Sequence, residues 1–366
     1  MGGAVLQRCD TRFLIIARFS ACSHKSESSR SLLEPEEFMT YQRIRSSALM
    51  ACVVVALACF QPVSAAGSAE GSFQRTLQVT GAVNLDLTTG SGNVQVRTGG
   101  SNEVQVTGHI KVTNWFGSDA EERVKRIEAN PPIQQSGNDI RIGHTDDREL
   151  FHNISISYDL IVPAETRLRS HTGSGSQSVT GIHGLVEIES GSGTLKVSDI
   201  GDTVRAETGS GGIEIDRVKG NVRAKAGSGS IRAMGVAGGF EGHAGSGHIT
   251  LEQTAAGSVR AETGSGGLEL RGVQGSLEAT AGSGTVTAEG NPTGAWTVHT
   301  GSGSVHLKLV SDAAFDLDAH TSSGSISVDQ PVTVQGSIGR KELRGKVRGG
   351  GVPVEVETGS GNIEIR

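Results

Sequence analysis

Cysteine is scarce in this chain, and its placement excludes several kinds of chemistry. The sequence of 366 residues contains four cysteines, Cys9, Cys22, Cys52 and Cys59. The residues after Cys59 therefore form no disulfide, ligate no zinc through sulfur and offer no cysteine nucleophile. Thiol chemistry is excluded from most of the chain.

Aromatic residues and long apolar runs are also few. Aromatic side chains make up 4% of the sequence, so we expect no exposed aromatic row that could stack sugars or bases. The apolar run from Ala48 to Phe60 is too short to span a bilayer, and we expect no transmembrane helix in the mature chain. A formal net charge of −6 argues against a nucleic-acid partner.

Glycine, in contrast, is abundant and regularly placed. Many of the 53 glycines belong to the tripeptide Gly-Ser-Gly, which returns every 18 residues, twice stretched to 19. Its copies begin at Gly173, Gly191, Gly209, Gly227, Gly245, Gly264, Gly282 and Gly301. An interval this regular indicates a stacked repeat protein.

Each repeat is predicted to contain two short strands. Counted from its first glycine, apolar or small residues occupy places five, seven, ten, fourteen, sixteen and eighteen, with mostly polar residues between them. This alternation indicates strands, and the glycines at places one, three and usually twelve indicate tight turns that need a positive φ. The sequence therefore predicts an all-β fold, a parallel β-solenoid with rungs of about 18 residues.

The inward and outward columns of the repeats have different compositions. Phe240 and Trp296 are interpreted as core residues, because place fourteen is otherwise Val or Leu. Outward places six and fifteen carry charges of both signs, interpreted as solvated pairs between rungs. These charges are Lys196, Glu214 and Arg232 at place six, and Glu187, Arg205, Arg223, Glu241, Arg260 and Glu278 at place fifteen.

The segments before the repeats divide into three predicted parts. Residues 1–38 are interpreted as an upstream extension, with translation starting at Met39. Residues 39–65 have the basic, apolar and small-residue layout of a signal peptide, and a lipid anchor at Cys59 is a second interpretation. Residues 66–170 are predicted to form a β-rich cap with an early rung and a helix at 118–129, followed by the solenoid at 171–366.

The stretch between the last two glycine corners contains a basic patch. Its residues are Arg340, Lys341, Arg344, Lys346 and Arg348. Nucleic acid or membrane phosphates are conceivable partners. We interpret the patch as a solvated loop, because no aromatic residue is interleaved with the basic ones.

No catalytic, cofactor-binding or metal-binding residues are predicted. The repeats lack the regular aspartates of a calcium-binding β-roll, since Asp199, Asp202 and Asp216 are sporadic. His299 and His320 are expected on neighbouring rungs, with His243 farther away, and a pair is only half of a zinc or nickel site. The glycine-flanked serine of a nucleophile elbow is absent.

The chain resembles the bacterial putative adhesin family of uncharacterised β-strand-repeat proteins. The resemblance covers Phe73 to Arg366 and depends on the Val94/Val96 rung, the LIVPAET segment at Leu160 to Thr166, the glycine corners, and VETGSGNIEI at Val356 to Ile365. It implies an exported β-solenoid, a domain of unknown function without assigned catalytic residues.

Two functions from different classes follow from these observations. The first is a non-catalytic, adhesin-like module of the envelope or cell surface, periplasmic or extracellular, whose partner is an unknown envelope protein or glycan. The alternative is a glycan-active enzyme of the parallel β-helix type, whose turnover would depend on an outward carboxylate such as Glu214 or Glu269.

The signal-peptide interpretation makes a prediction about the mature protein. Cleavage after Ala65, or one residue later, should leave a chain that begins at Ala66 or Gly67. Peptide mapping of the protein from its native host should find no peptide from residues 1–38. Recovery of such a peptide would contradict the start at Met39.

Overall fold

A computed structural model describes residues 68–100, 102–113, 119–144, 150–334 and 339–366. All of these residues lie in one compact unit, Ala65–Arg366. The predicted extension and signal segment, which together contain the four cysteines, and the residues Trp115, Phe116 and Ser118 lie outside the described residues.

The described residues form 27 strands and one helix. The helix, α1, spans Ala120–Ala129. The strands are β1 (Ser68–Gln78), β2 (Val83–Thr89), β3 (Val94–Thr98), β4 (Glu103–Thr113), β5 (Ile133–Ser136), β6 (Asp139–Ile142), β7 (Ile154–Val162), β8 (Thr166–Thr172), β9 (Gln177–Thr180), β10 (Val186–Ser190), β11 (Leu195–Ile200), β12 (Val204–Thr208), β13 (Ile213–Val218), β14 (Val222–Ala226), β15 (Ile231–Val236), β16 (Phe240–Ala244), β17 (Ile249–Gln253), β18 (Val259–Thr263), β19 (Leu268–Ser283), β20 (Val286–Ser302), β21 (Val305–Leu309), β22 (Phe315–Ser323), β23 (Ile326–Val328), β24 (Val332–Val334), β25 (Glu342–Val347), β26 (Val352–Ser360) and β27 (Ile363–Ile365).

The strands stack as two sheets, and each rung gives one strand to each. Sheet 1 contains β9, β11, β13, β15 and β17, and sheet 2 contains β8, β10, β12, β14, β16 and β18. β19 and β20 run through both sheets. Neighbouring strands are parallel with an 18-residue offset, as in the pairing of Ile213 with Ile231. The predicted parallel β-solenoid with two-strand rungs is confirmed.

The predicted inward columns form a continuous core between the two sheets. In one rung Ile213, Ile215, Val218, Val222 and Ala224 are each 2% exposed or less. Phe240 and Trp296 are also buried, and the Trp296 Nε1 donates to Gly275 O at 2.9 Å. Like residues therefore stack over like, and each rung depends on its neighbours to bury its apolar row.

The corner glycines are required for a different reason from the predicted one. Among the described residues, no first or third corner glycine between Gly173 and Gly266 has a positive φ. A Cβ added at Gly211 would instead overlap the carbonyl oxygen of Gly193 in the preceding rung, and one added at Gly209 would overlap that of Gly191. The corners need glycine because the backbones of successive rungs touch there, so the positive-φ explanation is wrong.

Hydroxyl groups inside the core tie several of the corners to the ones before them. Thr208 at place eighteen is buried, and its Oγ1 donates to Gly193 O at 3.1 Å. The same Oγ1 accepts from Gly211 N, also at 3.1 Å. Ser190 makes the equivalent pair of bonds one rung earlier. A buried Thr or Ser at this place therefore satisfies two backbone groups that the close corner leaves without ladder bonds.

The left-handed residue of a rung occurs at place nine and sets the length of the repeat. This residue has a positive φ in the described 18-residue rungs: Gly181, Asp199, Arg217, Gly235 and Gly272. The two 19-residue rungs have Gln253 and Gly290 at the same place, without a positive φ. There the residue enters the inward column instead, since Gln253 pairs with Val236 and Gly290 with Val273. A left-handed residue at place nine and an additional residue in the rung are thus alternative ways to make the turn between the two strands of one rung.

The N-terminal end of the solenoid is covered by antiparallel strands and by α1. β2 and β3 stack in parallel on β8 and β9, as the predicted early rung requires. Beyond them, β7, β4 and β1 close sheet 1, while β6 and β5 close sheet 2. Phe73 packs edge-to-face on Tyr158 with ring centroids 6.3 Å apart. Antiparallel strands at this end cover the apolar rows and limit edge-to-edge association.

The helix prediction is confirmed with a shifted start. α1 begins at Ala120 with Asp119 at the N-cap and without a side-chain capping hydrogen bond, two residues after the predicted start at 118, and it ends at Ala129 as predicted. Ala120, Val124 and Ile127 are buried against β1 and β4. Within the described part of the chain, no helix is long and apolar enough to cross a membrane.

The C-terminal end departs from the order of the sequence. β26 lies between β20 and β22, and β27 lies between β21 and β23. The corner at Gly359 therefore stacks directly on Gly301, ahead of the corner at Gly324. The basic patch is not a loop, because it includes β25, which pairs antiparallel with β22 and β24.

The close approach of the corners predicts opposite outcomes for two adjacent glycines. Gly211→Ala should destabilise the protein by roughly 2–3 kcal/mol, because its Cβ overlaps a backbone carbonyl that cannot move. Gly212→Ala should change stability by less than about 0.5 kcal/mol, since its Cβ would meet nothing closer than Ser230 O at 3.6 Å. Urea unfolding monitored by circular dichroism measures both, and equal effects would contradict the corner geometry.

Candidate binding surface

The outward face of sheet 2 carries a row of charges in strand register. Place fifteen brings Glu187, Arg205, Arg223, Glu241 and Arg260 onto consecutive strands. Arg205 binds Glu187 at 2.7 Å, and Arg223 binds Glu241 at 2.7 Å. The predicted ion pairs between rungs are therefore present, and opposite charges support the register of the stack.

Glu187 is the most strongly enclosed member of this row. Its carboxylate accepts from both Arg169 and Arg205 at 2.7 Å, and its side chain is only 16% exposed. The hydrogen bond from Arg169 holds the pKa of this carboxyl below its ordinary value of 4.5. The same cause lowers the pKa of Glu241 beside Arg223.

The outward face of sheet 1 repeats the pattern with other residues. Lys196 and Glu214 of neighbouring strands lie 2.8 Å apart. Arg217 donates two bonds to Asp199, at 2.6 and 2.9 Å, and also contacts Asp216. Asp199 and Asp216, two of the three aspartates considered for calcium, are thus both partners of the Arg217 guanidinium group.

The predicted stacking of His299 on His320 is wrong. Because β26 inserts between β20 and β22, Glu357 lies between the two histidines, opposite each of them. His299 Nδ1 is 3.4 Å from Glu357 Oε2, and His243 is paired with Glu262 at 3.2 Å. Within the described ranges, no group of three or more His, Cys, Asp or Glu residues could hold a metal ion.

Shallow grooves run along both outward faces. A groove of about 790 Å³ on sheet 2 is lined by Asn84, Asp86, Arg141, Arg167 and Arg169, among others. On sheet 1 a groove of about 690 Å³ and one of about 440 Å³ share Ser178, Lys196 and Glu214. Most of the residues that line them are polar or charged, which suits an extended hydrophilic partner.

The two carboxylates named for an enzyme lie far apart. Glu214 is on β13 and Glu269 on β19, with β15 and β17 between them. Three strand spacings place their backbones roughly 14 Å apart. The two carboxyl groups used in glycosidic hydrolysis lie about 5–9.5 Å apart. Each also has a cationic neighbour, Lys196 for Glu214 and Arg271 for Glu269.

The basic patch is partly neutralised at the C-terminal end of sheet 2. Arg344 Nε lies 3.1 Å from Asp318 and 3.2 Å from Glu342. Lys341 Nζ donates to Ser322 O at 2.9 Å. The sequence alone could not find these contacts, because they depend on the antiparallel pairing of β25 with β22.

The family comparison matches most of the chain. A family model described as Toastrack DUF4097 matches residues 84–366. This range agrees with the resemblance inferred from the glycine corners and the closing VETGSGNIEI segment. No curated protein matches the chain.

Two solved structures are also similar to this chain. One is a putative cell adhesion protein from Clostridium sporogenes, 11% identical, which covers 81% of this chain and 99% of its own, with a TM-score of 0.22. The other is a putative adhesin from Bacteroides fragilis, 14% identical, which covers 81% of this chain and 97% of its own, with a TM-score of 0.27.

The lowered pKa of Glu187 predicts a pH-dependent contribution to stability. A depressed folded-state pKa stabilises the fold above the ordinary value of 4.5, and this contribution is lost as pH falls through the folded-state pKa. Glu187→Gln should therefore lower the melting temperature by about 1–3 °C at pH 7, and the difference from wild type should shrink as the pH falls below 4.5.

Glu252→Gln is the matched control, since Glu252 is exposed and its strand neighbour Arg271 pairs with Glu269 instead. Its melting temperature should follow wild type at each pH. A difference in melting temperature between Glu187→Gln and wild type that is equal at pH 7 and pH 3 would contradict a contribution from the ionised Glu187 carboxylate.

Proposed function

We propose that this chain, which belongs to the Toastrack DUF4097 family, is a non-catalytic exported protein of the envelope or cell surface. It binds an extended partner along its repeated outward faces. The observation that supports this proposal is the row of outward charges held in strand register over consecutive rungs.

A solenoid distributes binding over its length. Each rung presents the same outward places at a spacing of about 4.8 Å, so a partner gains contacts rung by rung. The grooves on sheet 1 cross several rungs, because they extend from Gln95 on β3 to Arg232 on β15. An envelope protein or a glycan in extended conformation fits such a surface, and its polar groups would meet Ser, Lys and Glu side chains.

A glycan-active enzyme is the weaker alternative. Glycosidic hydrolysis needs two carboxyl groups that face one bond. Glu214 and Glu269 are separated by two intervening strands and each lies beside a cation, which favours binding over catalysis.

Export is proposed from the signal-like segment at 39–65. The mature chain would then act in the periplasm or outside the cell. A lipid anchor at Cys59 remains the second interpretation of that segment.

The proposal is tested with the mature protein in a pull-down from envelope extracts and on a glycan array, beside a polysaccharide-degradation assay. Deleting residues 209–226 removes one rung. Gly227 would then stack on Gly191, which is the position that Gly209 has in the full chain. We expect this deletion to weaken binding and removal of residues 209–244 to weaken it further, while Arg223→Ala retains it.

Melting curves show whether each shortened chain remains folded, and only folded variants are compared. Turnover of a glycan that is abolished by Glu214→Gln or Glu269→Gln would reject the non-catalytic function. Binding that is unchanged after both deletions would reject a surface distributed over these rungs.

A further inference from the structure

The solenoid contains a gap one rung wide that a later segment of the chain fills. β21 leads to β22, but β22 pairs with β26 and not with β20, and β23 pairs with β27 and not with β21. The gap, called the slot, lies between β20 and β21 on one side and β22 and β23 on the other. Its walls in each sheet are two strand spacings, roughly 10 Å, apart.

Residues 352–366, called the insert, occupy the slot as a complete rung. Val354, Val356, Ile363 and Ile365 are buried, each 2% exposed or less. The buried Thr358 donates to Gly303 O at 2.9 Å, as the inward hydroxyls of other rungs do. The insert therefore covers apolar rows of both walls, and the slot accepts a strand pair with a glycine corner between them.

Backbone hydrogen bonds hold the insert on both sides. On the first wall Val305 N donates to Asn362 O at 2.8 Å and Gly303 N to Ser360 O at 2.9 Å. Towards the second wall Gly361 N donates to Ser323 O and Ile363 N to Ser325 O, both at 3.0 Å. These bonds fix the register of the insert without any contribution from the segment that connects it.

The connection to the insert is a glycine hinge. Gly349, Gly350 and Gly351 precede it, with φ values of 91° for Gly349 and 87° for Gly350. Glycine changes its backbone dihedrals without a Cβ clash, so this hinge can direct the insert in more than one direction. The contacts inside the slot involve only the insert and the slot walls, so they are the same whichever chain supplies the insert.

We propose that the slot is a strand-acceptor site that also takes residues 352–366 from a second copy of this chain. A second copy supplies the same four aliphatic residues, the same buried Thr358 and the same glycine corner in the same register. The exchange links two chains through a full rung of backbone bonds, and it does not depend on the partner of the outward faces.

Paired cysteines in full-length chains test the exchange. Glu357 and His320 are exposed Cα partners on neighbouring parallel strands, within reach of a disulfide. Chains with Glu357→Cys and chains with His320→Cys, each with Cys9, Cys22, Cys52 and Cys59 changed to Ser and each with its own tag, are coexpressed. Purification through one tag, oxidation with diamide and a non-reducing gel then measure the cross-linked heterodimer.

His243→Cys in place of His320→Cys is the matched control, because His243 is exposed in the same outward column but neighbours Lys225 and Glu262. We expect the yield of cross-linked heterodimer to be several-fold above the yield obtained with this control. A single chain with both Glu357→Cys and His320→Cys should form an internal disulfide, which verifies the slot. A heterodimer yield no higher than the control, or no internal disulfide in the double variant, would overturn the proposal.

Discussion

The contact between successive corners is the constraint on which the rest of this structure depends. From Gly191 to Gly303, the first and third glycines of each Gly-Ser-Gly corner sit directly on the carbonyl oxygens of the corner before them, at a distance that leaves no room for a Cβ. This contact fixes the rung spacing and the register on one side of the solenoid. Because every rung shares the same corner, small inward residues such as Ala224 and Thr208 fill the narrow core beside it.

The strand register set at the corner determines which side chains are neighbours on the surface. Once the corners stack, residues 18 positions apart lie on neighbouring strands, and Glu187 meets both Arg169 and Arg205. Each exposed pair contributes little to stability. Their combined effect is a polar surface that repeats with the strands and continues into the grooves, which is what an extended partner requires.

The two ends show that the stacking rule does not depend on chain order. At the N-terminal end, antiparallel strands and α1 replace the repeats and cover the first rung. At the C-terminal end, β26 and β27 stack into a gap that β21, β22 and β23 leave open. The insert fits because it has the same corner and inward column as the repeats, although 37 residues separate the corners at Ser322 and Gly359.

The sequence by itself determined the regular part of this protein. The 18-residue interval and the two-residue alternation predicted the parallel rungs, the inward columns with Phe240 and Trp296, and the outward ion pairs, because each of these depends only on periodicity.

Tertiary structure decided what periodicity cannot encode. The requirement for glycine came from a contact between rungs and not from φ, since only the stacked backbones show the overlap at Gly211. The separation of His299 from His320 and the strand formed by the basic patch came from the placement of β26 and β25. Stacking energy depends on matching faces and not on sequence order, so a segment can join the rung that fits it wherever the chain allows it to return.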